Sequence, residues 1–154
     1  MAMNIVLSCF YIPMPAGHLY LNDVVICLGS ILLDPFEAFM VGGVGSFLGD
    51  LFVYPDAMFV SLITHGLQAV VISLFSHKIL KDKPRLSSGI GVSIGVIIMV
   101  TGYTLGSAFI YGSPATALAK MPHQIVQAVI GAVIGMFICW KCGIHKLFNK
   151  IIKQ

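Results

Sequence analysis

Charge is scarce in this chain. Of 154 residues, 10% are Asp, Glu, Lys or Arg, while 58% are hydrophobic. A soluble domain usually carries about 25% charged residues, so the scarcity excludes an ordinary water-covered fold and makes lipid the expected solvent. A nucleotide cradle is also missing. "GGVGSFLGDLFVYPD", from Gly42 to Asp56, has close glycines and a following aspartate, but the chain has no Lys-Ser or Lys-Thr pair at P-loop spacing. Powered transport would therefore need a motor on another protein. The alternating polarity of a transmembrane β-barrel is absent too. The apolar N-terminal stretch has no preceding positive charge and no clear cleavage site, so no signal peptide is expected. Four cysteines do not make a disulfide framework. The lone Cys139-Trp-Lys-Cys142 pair has no partner pair, so neither a metal nor a redox cofactor is expected. Basic residues are not interleaved with aromatics, which argues against nucleic acid.

What is present is a series of apolar stretches. They run Met3 to Ile12, Leu21 to Leu33, Phe36 to Val53, Ala57 to Phe75, Ile90 to Ile110 and Ile125 to Trp140. The expected fold is all-α, a single domain over 1–154 built as a bundle of six transmembrane helices. Asp34, Asp56, Ser87 or Ser88, and Ser113 sit where N-caps belong. Pro35, Pro114 and Pro122 suit first-turn positions. Gly42, Ser46 and Asp50 share one helix face, and Gly45 with Gly49 form a second small pair. Such spacing lets helix backbones approach closely in lipid.

Nine basic residues set the orientation. Lys78, Lys81, Lys83 and Arg85 lie between spans four and five; Lys141, Lys146, Lys150 and Lys153 lie in the C-terminal tail. Only Lys120 falls on the other side. The positive-inside rule then places both termini in the cytoplasm. Ile144 to Lys153 reads as an amphipathic helix at that surface.

With this orientation the polar residues gather in the outer half. Asn22 and Asp23 begin span two, and Asp50 is near the outer end of span three. At about 1.5 Å per residue, Ser61, His65 and Gln68 lie roughly 6, 12 and 17 Å down span four. Their i, i+4, i+7 spacing puts them on one face. Tyr103, Thr104, Ser107 and Tyr111 occupy the outer half of span five; His123 and Gln127 fall in the first turns of span six. Ionisable groups inside a membrane mark a site or pathway. Asn22, Asp50, Ser61, His65, Gln68, Tyr103, His123 and Gln127 are therefore the candidate substrate-binding set. Asp23 is either a cap or a member of the site. Tyr11, Tyr20 and Tyr54 suit the outer aromatic belt. Pro13 to Tyr20 is an outer loop, either a lid or a plain connector.

Three stretches carry a family resemblance: "HLYLNDVVICLGSILLDPFEAFMVGGVGSFLGDLF", "YPDAMFVSLITHGLQAVVISL" and "HQIVQAVIGAVIGMF". They resemble the substrate-binding S components of bacterial energy-coupling factor (ECF) transporters. The resemblance implies six membrane helices in the bacterial cell membrane and capture of a vitamin from outside. It also implies partners: a transmembrane coupling protein and two cytoplasmic ATPases. The family's Ala-xxx-Ala docking motif is not matched in the first span, where Ala2 is followed four residues later by Val6. Either the first helix is incomplete as written or the interface differs. Thiamin-binding members stack the ligand on outer tryptophans, whereas the single Trp140 lies at the cytoplasmic end. The site's polar groups suit a small neutral heterocycle such as hydroxymethylpyrimidine or pyridoxine, with pantothenate, riboflavin and queuosine precursors left open. Two other classes compete with this reading. One is an intramembrane enzyme with Asp50 and His65 as acid/base pair and Ser61 as nucleophile; the other is a scaffold subunit without a ligand.

Overall fold

A computed structural model of the chain describes residues 1–14, 17–79 and 83–152. Pro15 and Ala16 of the expected loop, Lys81 of the basic run and Lys153 of the tail lie outside the described residues, as do the side chains of Tyr11 and Lys146. In chain order the elements are α1 (Ala2–Cys9), β1 (Tyr11–Met14), β2 (Gly17–Tyr20), α2 (Asn22–Leu32), α3 (Pro35–Val53), α4 (Pro55–Ile79), α5 (Pro84–Phe109), α6 (Pro114–Lys141) and α7 (Ile144–Ile152).

Each of the six apolar stretches holds a helix, but the lengths differ. The four helices α3 to α6 are long and apolar enough to cross a membrane. The 11 residues of α2 span about 16 Å, roughly half a hydrocarbon core. Still shorter is α1, with 8 residues. The first apolar stretch does not continue as helix to Ile12. At Phe10 the backbone turns extended, and Tyr11–Met14 pairs antiparallel with Gly17–Tyr20, Tyr11 opposite Tyr20. The expected outer loop is thus a β-hairpin.

Several helix starts also differ from the expectation. α5 begins at Pro84, leaving Ser87 and Ser88 inside its first turns. Ser88 Oγ donates to Pro84 O at 2.7 Å and Ser87 Oγ to the Phe75 carbonyl of α4. α6 begins at Pro114, so Pro122 is interior and His123 and Gln127 lie several turns in. Asp56 sits within a short 3-10 turn, Pro55–Ala57, that opens α4. Asp34 occupies the cap position ahead of Pro35 without a side-chain cap bond. Ser113 is the cap whose chemistry is complete. Its Oγ accepts from Thr116 N–H at 3.3 Å, while its own N–H donates to Thr116 Oγ1 at 2.8 Å.

The glycines of α3 are contact points between helices. A Cβ at Gly43 would stand 3.0 Å from Gly66 Cα on α4, and one at Gly42 would meet Ala69 Cβ at 2.7 Å. On the other face, one at Gly45 would meet Asn4 Nδ2 at 2.7 Å. Around Gly42 and Gly43 α3 widens into a π-helical segment, Met40–Val44. Asn4 Nδ2 donates to Val41 O there at 2.7 Å, satisfying backbone that the altered ladder exposes. The end of α6 has a different device. Gly143 takes φ +73, a left-handed conformation that favours glycine, and α7 starts at the next residue.

Burial divides α4 cleanly. Phe59, Ile63 and Leu67 are more than half exposed at i, i+4, i+8, the pattern of a lipid-facing stripe. Ser61, His65 and Gln68 on the opposite face are buried. Lower in the bundle, Cys27, Ile31, Ile72, Val92 and Ala132 pack into an apolar core shared by α2, α4, α5 and α6. Consecutive long helices run antiparallel: along α5, Gly91, Gly102 and Gly106 meet Ile72, Thr64 and Val60 of α4 in turn. The polar residues of α2 to α6 therefore collect at one end, and Lys78, Lys83, Arg85 and Lys141 at the other.

Candidate functional site

The site is organised around a buried carboxylate. Asp23 lies in the first turn of α2 and is fully buried. α6 can cross there because Gly131 has no side chain: a Cβ would collide with Asp23 itself. Gln127 Nε2 of α6 donates to Asp23 Oδ2 at 2.8 Å, and Gln68 Nε2 of α4 donates to Oδ1 at 3.4 Å. His65 Nδ1 stands 3.8 Å from that oxygen and 2.8 Å from Gln68 Oε1. A buried carboxyl group must be hydrogen-bonded, and two neighbouring helices, α4 and α6, supply the partners.

A second cluster holds Asp50. Ser61 Oγ donates to Asp50 Oδ2 and lies 2.5 Å from Tyr103 OH. The Tyr103 ring meets the His65 ring edge-on at 5.3 Å, which joins the clusters. Above them is a cavity of about 450 Å³. Asn22, Asp50, His65, Tyr103, His123 and Gln127 line it. Those are six of the eight residues predicted from the sequence. Ser61 and Gln68 do not line it. They stand behind it, fully buried, and hold Asp50 and His65.

The rim of the cavity holds residues that the candidate substrate-binding set leaves out. Tyr54 and Tyr111 meet edge-on at 5.9 Å, and Lys120 Nζ lies 5.8 and 6.0 Å from their ring centres. Burial, with Tyr54 and Asp50 nearby, pushes the Tyr111 phenol up to about 12, so it stays a neutral donor at ordinary pH. Tyr54 and Tyr20, expected in a lipid-facing belt, line the cavity instead. Tyr20 N–H also donates to Gln127 Oε1 at 3.3 Å, so the hairpin ends against the site. Gln124 lines the cavity and accepts from Thr104 Oγ1 at 3.1 Å. Lys120, Gln124 and Gln127 are spaced i, i+4, i+7, a signal hidden by starting the helix at Ile125. Asn22 Oδ1 is buried on the cavity wall with no donor among the described residues.

The chemistry available is recognition by hydrogen bonds. Ser61 pairs with Asp50 and Tyr103, not with His65, so no Ser–His couple forms. Among the described residues there is no group of three metal-ligating side chains; Cys139 is buried and Cys142 exposed.

Comparison with known proteins agrees with this architecture. A family model described as the S component of the ECF-type riboflavin transporter matches residues 1–142. An uncharacterised protein of Pyrococcus woesei is 36% identical over 136 residues, covering 87% of this chain and 89% of that one. The thiamine precursor transporter HmpT of Lactococcus lactis subsp. cremoris is 34% identical over 130 residues, covering 83% of this chain and 72% of its own. A match across almost the whole length, on four membrane-length helices, identifies a multi-pass membrane protein. The chain belongs to the S-component family of ECF-type transporters.

Proposed function

We propose that the protein captures a vitamin or vitamin precursor from outside the cell and hands it to an ATP-driven complex for uptake. The observation that carries this reading is the cavity. Its 450 Å³ falls in the range of small-molecule sites, and side chains from α2 to α6 converge on it. Asn22, Asp50, His65, Tyr103, His123 and Gln127 contact the solute; Ser61 and Gln68 position those contacts. The acceptor of Asn22 has no protein donor among the described residues, which calls for a donor on the solute, such as a ring amine or hydroxyl. Hydroxymethylpyrimidine or pyridoxine fits such a site. The name of HmpT supports a thiamine precursor, while the family description names riboflavin. The hairpin acts as the lid.

In this reading the bundle crosses a bacterial cell membrane with α1 and α2 completing six spans. Both termini face the cytoplasm, because the cationic end belongs there. A transmembrane coupling protein and two cytoplasmic ATPases supply the energy. Native mass spectrometry of the detergent-solubilised protein tests the proposal. A vitamin-sized adduct is expected, lost in His65→Ala and weakened in Gln68→Ala. An adduct unchanged in both variants would sink the site, and turnover of a lipid or peptide would favour an enzyme.

A further inference from the structure

A second pocket lies at the opposite end of the bundle and has no part in solute capture. It is an open groove of about 300 Å³ lined by Arg85, Met136, Phe137, Trp140 and Lys141. Arg85 is the second residue of α5 and Lys141 the last of α6. Both cations therefore sit where two neighbouring helices meet the membrane boundary. The Arg85 guanidinium lies over the Trp140 ring at 5.6 Å, and His145 stacks on that ring at 4.5 Å. No carboxylate pairs with Arg85 or Lys141 among the described residues. The Trp140 indole N–H is buried and meets no acceptor there. Below the cations the wall turns apolar, with Phe137 57% exposed on the lipid-facing side of α6.

We propose that this pocket binds an anionic phospholipid. A lipid has the same polarity order: a phosphate that takes two N–H cations, followed by acyl chain that lies on Phe137 and Met136. Arg offers the fork that matches phosphate oxygens and Lys a point charge. Basic pockets between helix ends at a membrane surface suit anionic head groups. The adjoining α7, with lysine at position 150, would lie along the same surface.

The test uses the full chain reconstituted in phosphatidylcholine nanodiscs with and without phosphatidylglycerol. Phosphatidylglycerol is expected to raise Tm by about 4 °C or more. R85Q/K141Q should lose most of that rise; Lys78→Gln with Lys83→Gln, which removes equal charge from the same end, should keep it. Equal losses in the two double variants would mean diffuse surface charge, and no rise in the wild type would mean no site; either overturns the proposal. Inorganic phosphate reproducing the rise in detergent would replace the lipid with a free anion. An R85Q/K141Q protein that keeps the lipid-dependent rise but fails to assemble with the coupling protein would make the pocket a protein dock. Native mass spectrometry of the wild type gives a result that needs no variant. It should show a retained phosphatidylglycerol adduct, and no preference over phosphatidylcholine would end the idea.

Discussion

The two halves of the bundle are built from the same helices and solve opposite packing problems. Around Asp23, side chains are polar, directional and short of atoms to fill the space, and a cavity results. One to two turns along the same α2, α4 and α6, Cys27, Ile31, Ile72 and Ala132 interlock without one. Hydrogen bonding fixes the polar half. Each polar group must face its partners, and the geometry that satisfies Asp23 and Asp50 leaves room between them. Dispersion fixes the apolar half, where side chains interdigitate to fill the volume. A single atom lost from the polar half therefore disturbs the cavity as well as stability, whereas one lost from the apolar half disturbs stability alone.

Asp23→Ala would break this contrast most. It removes the acceptor shared by Gln127 and Gln68 and should cost about 3 kcal/mol or more of stability, read as a large fall in Tm, together with loss of the solute adduct. Gly43→Leu comes next. Its Cβ has Gly66 Cα at 3.0 Å, backbone that cannot swing aside, so overpacking of about 1–3 kcal/mol is expected from thermal unfolding in detergent. Ser61→Ala sharpens the comparison within the polar half. It should weaken solute affinity about tenfold by calorimetry while costing roughly 1 kcal/mol of stability, because it frees Asp50 and Tyr103 without entering the cavity. Ile72→Val, in the apolar half, should cost about 1 kcal/mol with affinity unchanged. Phe59→Leu on the lipid stripe should be within about 0.5 kcal/mol of wild type. If Ile72→Val changed affinity as much as Ser61→Ala, the division into two halves would not hold.

Much of the site was legible because helical periodicity is a local property. Ser61, His65 and Gln68 share a face by spacing alone, and burial agrees with it. Lys120 and Gln124 are hidden by Pro122, which suits a first-turn position as well as Pro114 does, whereas α6 starts at Pro114 and carries Pro122 inside it. Asp23 was ambiguous, because a carboxylate in a first turn satisfies a helix dipole equally well. Its centrality depends on Gly131, more than a hundred residues away, giving α6 room to cross. Pro13 to Tyr20 reads as a loop and Tyr11 and Ile12 as the end of the first span, because the prolines mask a hairpin only eight paired residues long.

Composition and period by themselves determined that this chain lives in lipid, that polar groups share helix faces in one half of the bundle, and that all but one of its Lys and Arg residues collect at the other end. Those properties need only the transfer free energy of side chains and the 3.6-residue turn. Tertiary structure decided which polar groups line the cavity and which stand behind it, and placed Asp23 at the centre. That outcome depends on where glycines allow two helices to cross, and a crossing joins residues that no local pattern connects.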